Sequence, residues 1–273
     1  MAPPRGRGVP SMMGPDLIAL VRTTDVRDGD LHVEGEPGPL QARRRQILDR
    51  PWVWMRQVHG SDVVVLGDDD PAEAVAGVDA DAVVTRRTDV VLAANSADCA
   101  AIALVGAAGA GPASTVVDRP DLADGAAIGV VHAGWRGLQA GVVGAGVAAL
   151  RRLGVDRVQA HLGPCIGPEC YEFDGPELDA LVARFGPTVA GRTRQGRPAL
   201  DLRLGVRRAL EEAGAELVTR SVRCTACGTT TDAPDRGGWG SGGAQLFSHR
   251  ARADAGRQAM LVWLERPSLG GPA

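Results

Sequence analysis

The sequence predicts an α/β fold: a single layered domain with mixed β-sheets and flanking helices. Three observations carry that expectation. Short runs of Val, Ile, Leu and Ala with strand character recur along the chain, segments of helical apolar periodicity lie between them, and no internal repeat or clear linker divides the chain. At 273 residues, 44% of them hydrophobic, the chain is long enough to build one large core. Aromatic residues are only 3% of it, so that core must rest on aliphatic packing.

Residues 1–15, rich in Pro, Gly and Arg, read as a flexible N-terminal tail, and 16–266 as one catalytic domain. The run 16–22 suits a strand and 40–49 a short basic helix. Strands follow at 52–58, 62–66, 81–85, 90–94 and 100–105, each a short apolar or β-branched run between turn residues. The Gly/Ala/Asp/Pro-rich stretch 106–125 reads as a surface insertion. A buried strand at 127–131 turns through His132-Ala133-Gly134 into a helix over 135–153, in which Gly141, Gly144 and Gly146 would permit close packing. A strand at 157–162, helices at 176–185 and 202–213, and strands at 216–223 and 257–264 complete the pattern. A second Gly-rich surface insertion falls at 228–245, and 267–273 is a C-terminal tail.

Charge narrows the chemistry. The 30 basic and 33 acidic residues leave a formal charge of -3, which gives no electrostatic reason to expect nucleic acid or an anionic membrane as a partner. Every basic residue is Arg, so a Schiff-base lysine and a P-loop lysine are both excluded. Five cysteines, an odd number, and an N-terminus without an apolar h-region indicate neither a disulfide framework nor secretion, and the expected location is cytoplasmic.

Three segments run an apolar strand up to a polar residue at a tight turn, ending near His59, Cys99 and His132. These lie 40 and 33 residues apart, too far for a finger-type site. Two imidazoles and one thiolate suit Zn²⁺ and leave a fourth tetrahedral position open to water or substrate, whereas a single Cys or His beside an apolar strand is as a rule a core residue. Spacing alone leaves both readings standing.

In His132-Ala133-Gly134-Trp135-Arg136-Gly137, backbone N–H groups at a helix start and the Arg136 guanidinium would meet as an anion site, against the plain reading of a solvent-facing Arg. The Gly/Pro-rich loop 163–172 carries two thiols and the only Tyr, and would serve either as a pocket wall or as a rigid structural loop. Cys224-Thr225-Ala226-Cys227 matches CxxC, but no second pair stands at zinc-ribbon spacing, so these read as structural or incidental thiols. His32 reads as solvated, His161 as a core or supporting residue, and His249 as an exposed strand-end histidine within reach of a pocket.

Taken together, Arg56-Gln57-Val58-His59-Gly60, Asp79-Ala80-Asp81-Ala82-Val83-Val84-Thr85, Ala97-Asp98-Cys99, Val131-His132-Ala133-Gly134-Trp135-Arg136-Gly137, Gly163-Pro164-Cys165-Ile166-Gly167 and Gly256-Arg257-Gln258-Ala259 resemble the laccase-domain family. That family is also known as the purine nucleoside phosphorylase or peptidoglycan editing factor family. The motifs occur in family order over residues 16–265. The resemblance implies the cysteine-hydrolase-like laccase-domain architecture and a zinc site at His59, Cys99 and His132, with copper as the other candidate metal. It implies phosphorolysis of adenosine, inosine, guanosine and S-methyl-5'-thioadenosine, with purine nucleosides and phosphate as partners, and deamination of adenosine. On this basis Cys99, Asp98 and Arg136 are the expected catalytic residues, Asp98 as proton carrier and Arg136 as phosphate holder. Gln57, Asn95 and Arg136 are expected to bind substrate.

Two departures bear on substrate choice. Thr23-Thr24-Asp25 stands where the family usually carries Thr-Thr-Arg followed by Gly-Gly, and residues 228–246 separate the CxxC from Ser248-His249-Arg250. Two rival activities stand beside phosphorolysis. One is a hydrolase that removes L-serine from the precursor UDP-MurNAc-L-Ser. The other is a copper polyphenol oxidase, against which weigh the five histidines of the chain, too few for several coppers.

Overall fold

The computed structural model describes residues 17–108, 121–122, 125–219, 221–230 and 245–266. Along the chain it runs β1 (Leu17–Thr23), α1 (Pro37–Ile47), β2 (Trp52–Val53), β3 (Val63–Leu66), β4 (Ala82–Thr85), β5 (Val91–Ser96), β6 (Ala100–Ala107), β7 (Asp121–Leu122) and β8 (Ala127–Ala133). There follow α2 (Trp135–Ala140), α3 (Val142–Arg152), β9 (Arg157–Leu162), α4 (Pro176–Phe185), β10 (Ala190–Arg192), β11 (Pro198–Leu200), α5 (Leu202–Glu212), β12 (Glu216–Leu217), α6 (His249–Arg252) and β13 (Gln258–Glu265).

Two mixed sheets pack face to face. One has the order β12-β9-β6-β8-β4-β3, the other β2-β5-β13-β1-β7, and β10 and β11 form a small separate hairpin. Strand alternation assigns each face. Ala101, Ala103 and Val105 of β6 and Ile128 and Val130 of β8 meet Leu92 and Ala94 of β5 and Met260, Val262 and Leu264 of β13 between the sheets. The opposite face of the six-stranded sheet, with Ala100, Ile102 and Leu104, packs on α2, α3, α4 and α5 through Leu138, Val147, Leu181 and Val206. The outer face of the five-stranded sheet, with Val91, Ala93 and Leu261, packs on Leu40 of α1. The result is four layers, helix, sheet, sheet and helices, in agreement with the α/β expectation. Each fully buried Val, Leu, Ile or Met side chain in these layers contributes about 1.5–3 kcal/mol.

Several elements differ from their sequence reading. The helix expected over 135–153 is divided at Gly141, which takes φ 93° and closes α2 by donating to Gly137 O and Leu138 O. The strand expected at 52–58 joins the sheet only at Trp52–Val53; beyond it Arg56 makes an isolated bridge to Asp79, and the Gln57 side chain, not the backbone, meets β5. The strand at 216–223 shortens to Glu216–Leu217. The hairpin of β10 and β11 was not expected, since three-residue strands carry no readable period. Within the 106–125 insertion, Ala107 ends β6 and Asp121–Leu122 pairs with β1. Residues 109–120 and 123–124, 231–244 of the second insertion, and both tails lie outside the described residues. Among the described residues no helix is long and apolar enough to cross a membrane.

Candidate metal centre and adjoining cavities

His59, Cys99 and His132 come together: one ligand atom from each lies within 4.8 Å of the others. The topology explains how. His59 lies where the chain leaves β2 of one sheet for β3 of the other, and Cys99 where it passes from β5 to β6, again between sheets. His132 is near the end of β8, where Ala101 of β6 is its register partner, so Cys99 arrives beside it.

The turns that present these ligands are strained. Among the described non-glycine residues only His59 (φ 59°), Asp98 (φ 103°) and Ala253 (φ 54°) have positive φ, and two of these belong to the site. Each is held by many bonds. The fully buried Asp81 carboxylate accepts from the N–H groups of Val58 (3.2 Å), His59 (3.0 Å) and Gly60 (2.6 Å), and so clamps the His59 turn. It also bonds His132 Nδ1 at 2.8 Å. Burial pushes the Asp81 pKa up, but His132 and these N–H donors outweigh it, and the carboxyl stays below its ordinary value. With Nδ1 held, the buried His132 ring has Nε2 left for a metal.

The residues fit a metal ion. A thiol and two imidazoles are the donor set of a three-ligand zinc site. Gly134 leaves the room: a Cβ there would stand 2.8 Å from His59 Nδ1 and 3.1 Å from Cys99 Sγ. The His59 and His132 rings are 4.9 Å apart at an interplanar angle of 52°, edge-open rather than stacked. Protein packed behind His59 holds its pKa below the usual histidine value, and the neighbouring His132 adds to this, so the ring favours the neutral form a metal needs.

Two cavities meet at this centre, sharing Ala97, Cys99 and His249. The larger, of ≈ 450 Å³, is walled by Trp135, Ile166, Tyr171 and Leu202, with Arg250 at its side. The smaller, of ≈ 290 Å³, has His32, Glu34, Gln57, Asn95 and Arg257 among its lining residues, beside Val33 and Met55. Tyr171 and Trp135 both contact Phe173, which fixes the aromatic wall. The loop 163–172 is therefore a pocket wall, and His249 reaches both cavities.

The other expected site residues are placed as follows. Gln57 and Asn95 line the smaller cavity, yet Gln57 donates to Asn95 O (2.7 Å) and accepts from Asn95 N (2.8 Å), while Asn95 Nδ2 donates to Leu31 O (2.6 Å). Asp98 is buried, and its carboxylate accepts from Thr225 Oγ1 (2.6 Å), Ser248 Oγ (2.6 Å) and Arg250 N (2.7 Å). That geometry is one of positioning, not of a free proton carrier. Arg136 is exposed in the first turn of α2, its guanidinium 4.5 Å from the centroid of the Trp135 ring. Arg250 lies in the same manner over Tyr171, at 5.3 Å. Sequence reasoning missed Asp81 and Arg250. Asp81 is an acid at the head of an apolar strand, a signal that was present but also fits a turn residue.

The model of the family described as "Multi-copper polyphenol oxidoreductase laccase" matches residues 22–116 and 122–265. A purine nucleoside phosphorylase from Streptomyces coelicolor is 36% identical over 218 residues, 78% of this chain and 75% of that protein. A second, from Xylella fastidiosa, is 36% identical over 231 residues, 82% of this chain and 77% of its own. Among solved structures, a Neisseria meningitidis protein of the DUF152 family superposes with a TM-score of 0.64 at 25% identity, covering 93% of this chain and 97% of that one. The YfiH protein of Bacillus licheniformis gives a TM-score of 0.62 at 25% identity, covering 86% and 84%.

Proposed function

The chain belongs to the multi-copper polyphenol oxidoreductase laccase family, and from that premise we propose that it is a zinc-dependent purine nucleoside phosphorylase with adenosine deaminase activity at the same centre. Adenosine, inosine, guanosine and S-methyl-5'-thioadenosine are its proposed substrates, with phosphate as co-substrate, and the cytoplasm its proposed location. The observation that carries this reading is the convergence of His59, Cys99 and His132 at the junction of an aromatic-walled cavity and one with polar side chains in its lining. A nucleoside has the same two-part character, a flat base joined to a polar sugar.

His59, Cys99 and His132 would hold the zinc. When bound, it would supply a Lewis acid that offsets charge on the displaced purine in phosphorolysis and lowers the pKa of water near adenine C6 in deamination. Trp135, Ile166, Tyr171 and Leu202 offer the purine a flat apolar wall and exclude water from one side of it. Gln57 acts by fixing the backbone of Asn95, which edges the smaller cavity where the ribose would sit. Arg136 and Arg250 bring two guanidiniums to the aromatic rim, where they would hold phosphate against the ribose anomeric carbon.

Asp98 serves as a positioning residue that fixes the backbone of Arg250. Proton movement falls to His249, which lines both cavities beside Cys99.

The test is incubation of metal-characterised protein with adenosine and inosine, with and without phosphate, alongside Cys99→Ala, with products read by chromatography. Adenine or hypoxanthine formed only with phosphate, inosine formed from adenosine without it, and loss of both in the variant are the expected results. Nucleosides left intact in every reaction would overturn the reading and favour hydrolysis of a muropeptide precursor.

A further inference from the structure

A second group of metal-ligating side chains lies apart from the first. Glu169, Cys170, Cys224 and Cys227 each present one ligand atom, and all four atoms lie within 4.8 Å of one another. Cys224 is buried and the other three are partly buried. They arise from two segments: the 3-10 turn Pro168–Cys170 and, 54 residues on, the sequence Cys224-Thr225-Ala226-Cys227-Gly228.

The second segment has the backbone of a metal-binding knuckle. Cys224 N donates to Thr229 O (2.7 Å) and Gly228 N to Cys224 O (2.8 Å), and Arg223 bridges Thr230, so the CxxC closes as a tight hairpin. Gly228 takes φ 76°, a conformation an L side chain seldom adopts, directly after the second cysteine. The N–H group of Gly167 donates to Cys224 Sγ at 3.3 Å, joining the two segments at the sulfur. A backbone N–H donor on a cysteine sulfur supports it as a metal ligand.

Arg203 adds an independent observation. It is buried, 6% exposed, with Nη2 3.6 Å from Glu169 Oε1, and its Nε and Nη2 atoms have no hydrogen-bond partner among the described residues. A buried guanidinium calls for a compensating negative charge. Three thiolates and a carboxylate around one divalent cation carry that charge.

We propose that Glu169, Cys170, Cys224 and Cys227 form a closed, four-coordinate structural Zn²⁺ site, distinct from the centre at His59, Cys99 and His132. Tetrahedral zinc with bonds of about 2.3 Å to sulfur sets sulfur atoms about 3.8 Å apart, within reach of the spacing seen by small side-chain rotations. The ion would tie the wall loop that ends at Tyr171 to the segment containing Thr225. Thr225 in turn donates to Asp98, next to Cys99. The site thus braces the catalytic centre without contacting substrate.

The experiment is metal analysis of the full chain purified with reductant and without chelator. About two zinc ions per chain are expected, falling by about one in Cys227→Ser and, independently, by about one in Cys99→Ala. Wild-type protein holding a single zinc that Cys99→Ala removes would overturn the proposal, as would an unchanged zinc content in Cys227→Ser. Should the serine variant not fold, alkylation of wild-type protein mapped by mass spectrometry decides. Cys170, Cys224 and Cys227 should react only after zinc is stripped; equal reactivity before and after stripping, or a Cys224–Cys227 disulfide, would count against the site.

Discussion

Asp81 holds His132 through its Nδ1 at 2.8 Å, and the same carboxylate closes the turn that carries His59. One buried side chain therefore sets the orientation of two candidate ligands, one on a turn and the other on β8.

Replacing Asp81 by Asn should weaken metal binding about 10–100-fold, the usual cost of losing a partner of a ligating histidine. The amide can still accept a hydrogen bond from part of the turn, so the fold should persist. Competition with a chromophoric chelator measures the affinity, and an unchanged value would show that Asp81 does not orient His132.

Gly134→Ala tests the room at the centre. The backbone there is extended (φ -75°, ψ 175°) and tolerates alanine, but the new Cβ would lie 2.8 Å from His59 Nδ1. Metal should be lost at this centre while circular dichroism, and the unfolding midpoint compared with metal-free wild type, stay unchanged. A variant that retains full metal content would mean that the ligands approach from another direction.

The metal-free protein should lose stability as the pH rises from 6.5 to 9. Burial disfavours a charged His132, but the Cys99 sulfur and the Asp81 carboxylate outweigh it and push the pKa from 6.5 to about 9. A pKa raised by folding adds stability that is complete below the unfolded value and is lost through the folded one. Metal requires the neutral ring, so metal affinity should rise over the same window. Unfolding midpoints of chelator-treated protein across this range, with His132→Gln as the flattened control, check both signs.

Arg136→Ala should raise the KM for phosphate at least about tenfold, the effect of losing roughly 1.4 kcal/mol of a charge-assisted contact. Deamination, which uses no phosphate, should be much less affected. Equal loss of both activities would remove the division of labour between Arg136 and the metal ligands.

Much of this architecture can be read in the sequence because it follows strand alternation and local signals. The bounds of β9 and α4 match their expected positions, as their apolar period and flanking turns predict. His59, Cys99 and His132 were readable only through combined motifs, since separations of 33 and 40 residues carry no period. What escaped depends on contacts between distant segments. Gln57 replaces a backbone ladder with side-chain bonds to Asn95, which no propensity reports. Glu169 and Cys170 meet the CxxC only through the path of the loop after β9. The Asp98 carboxylate looked available in sequence because its partners Thr225 and Ser248 lie more than a hundred residues away.

Two of the three ligands at the first centre sit where the chain steps from one sheet to the other. An ion held there would act as a rivet through the seam of the sandwich. Coordination tolerates errors of only about 0.2 Å, so a slide of one sheet over the other by a single ångström would undo it. The alignment of the two layers and the occupancy of the centre would thus be mechanically coupled, and a substitution deep between the sheets, at Ala94 or Ala103, should loosen the metal without touching a ligand.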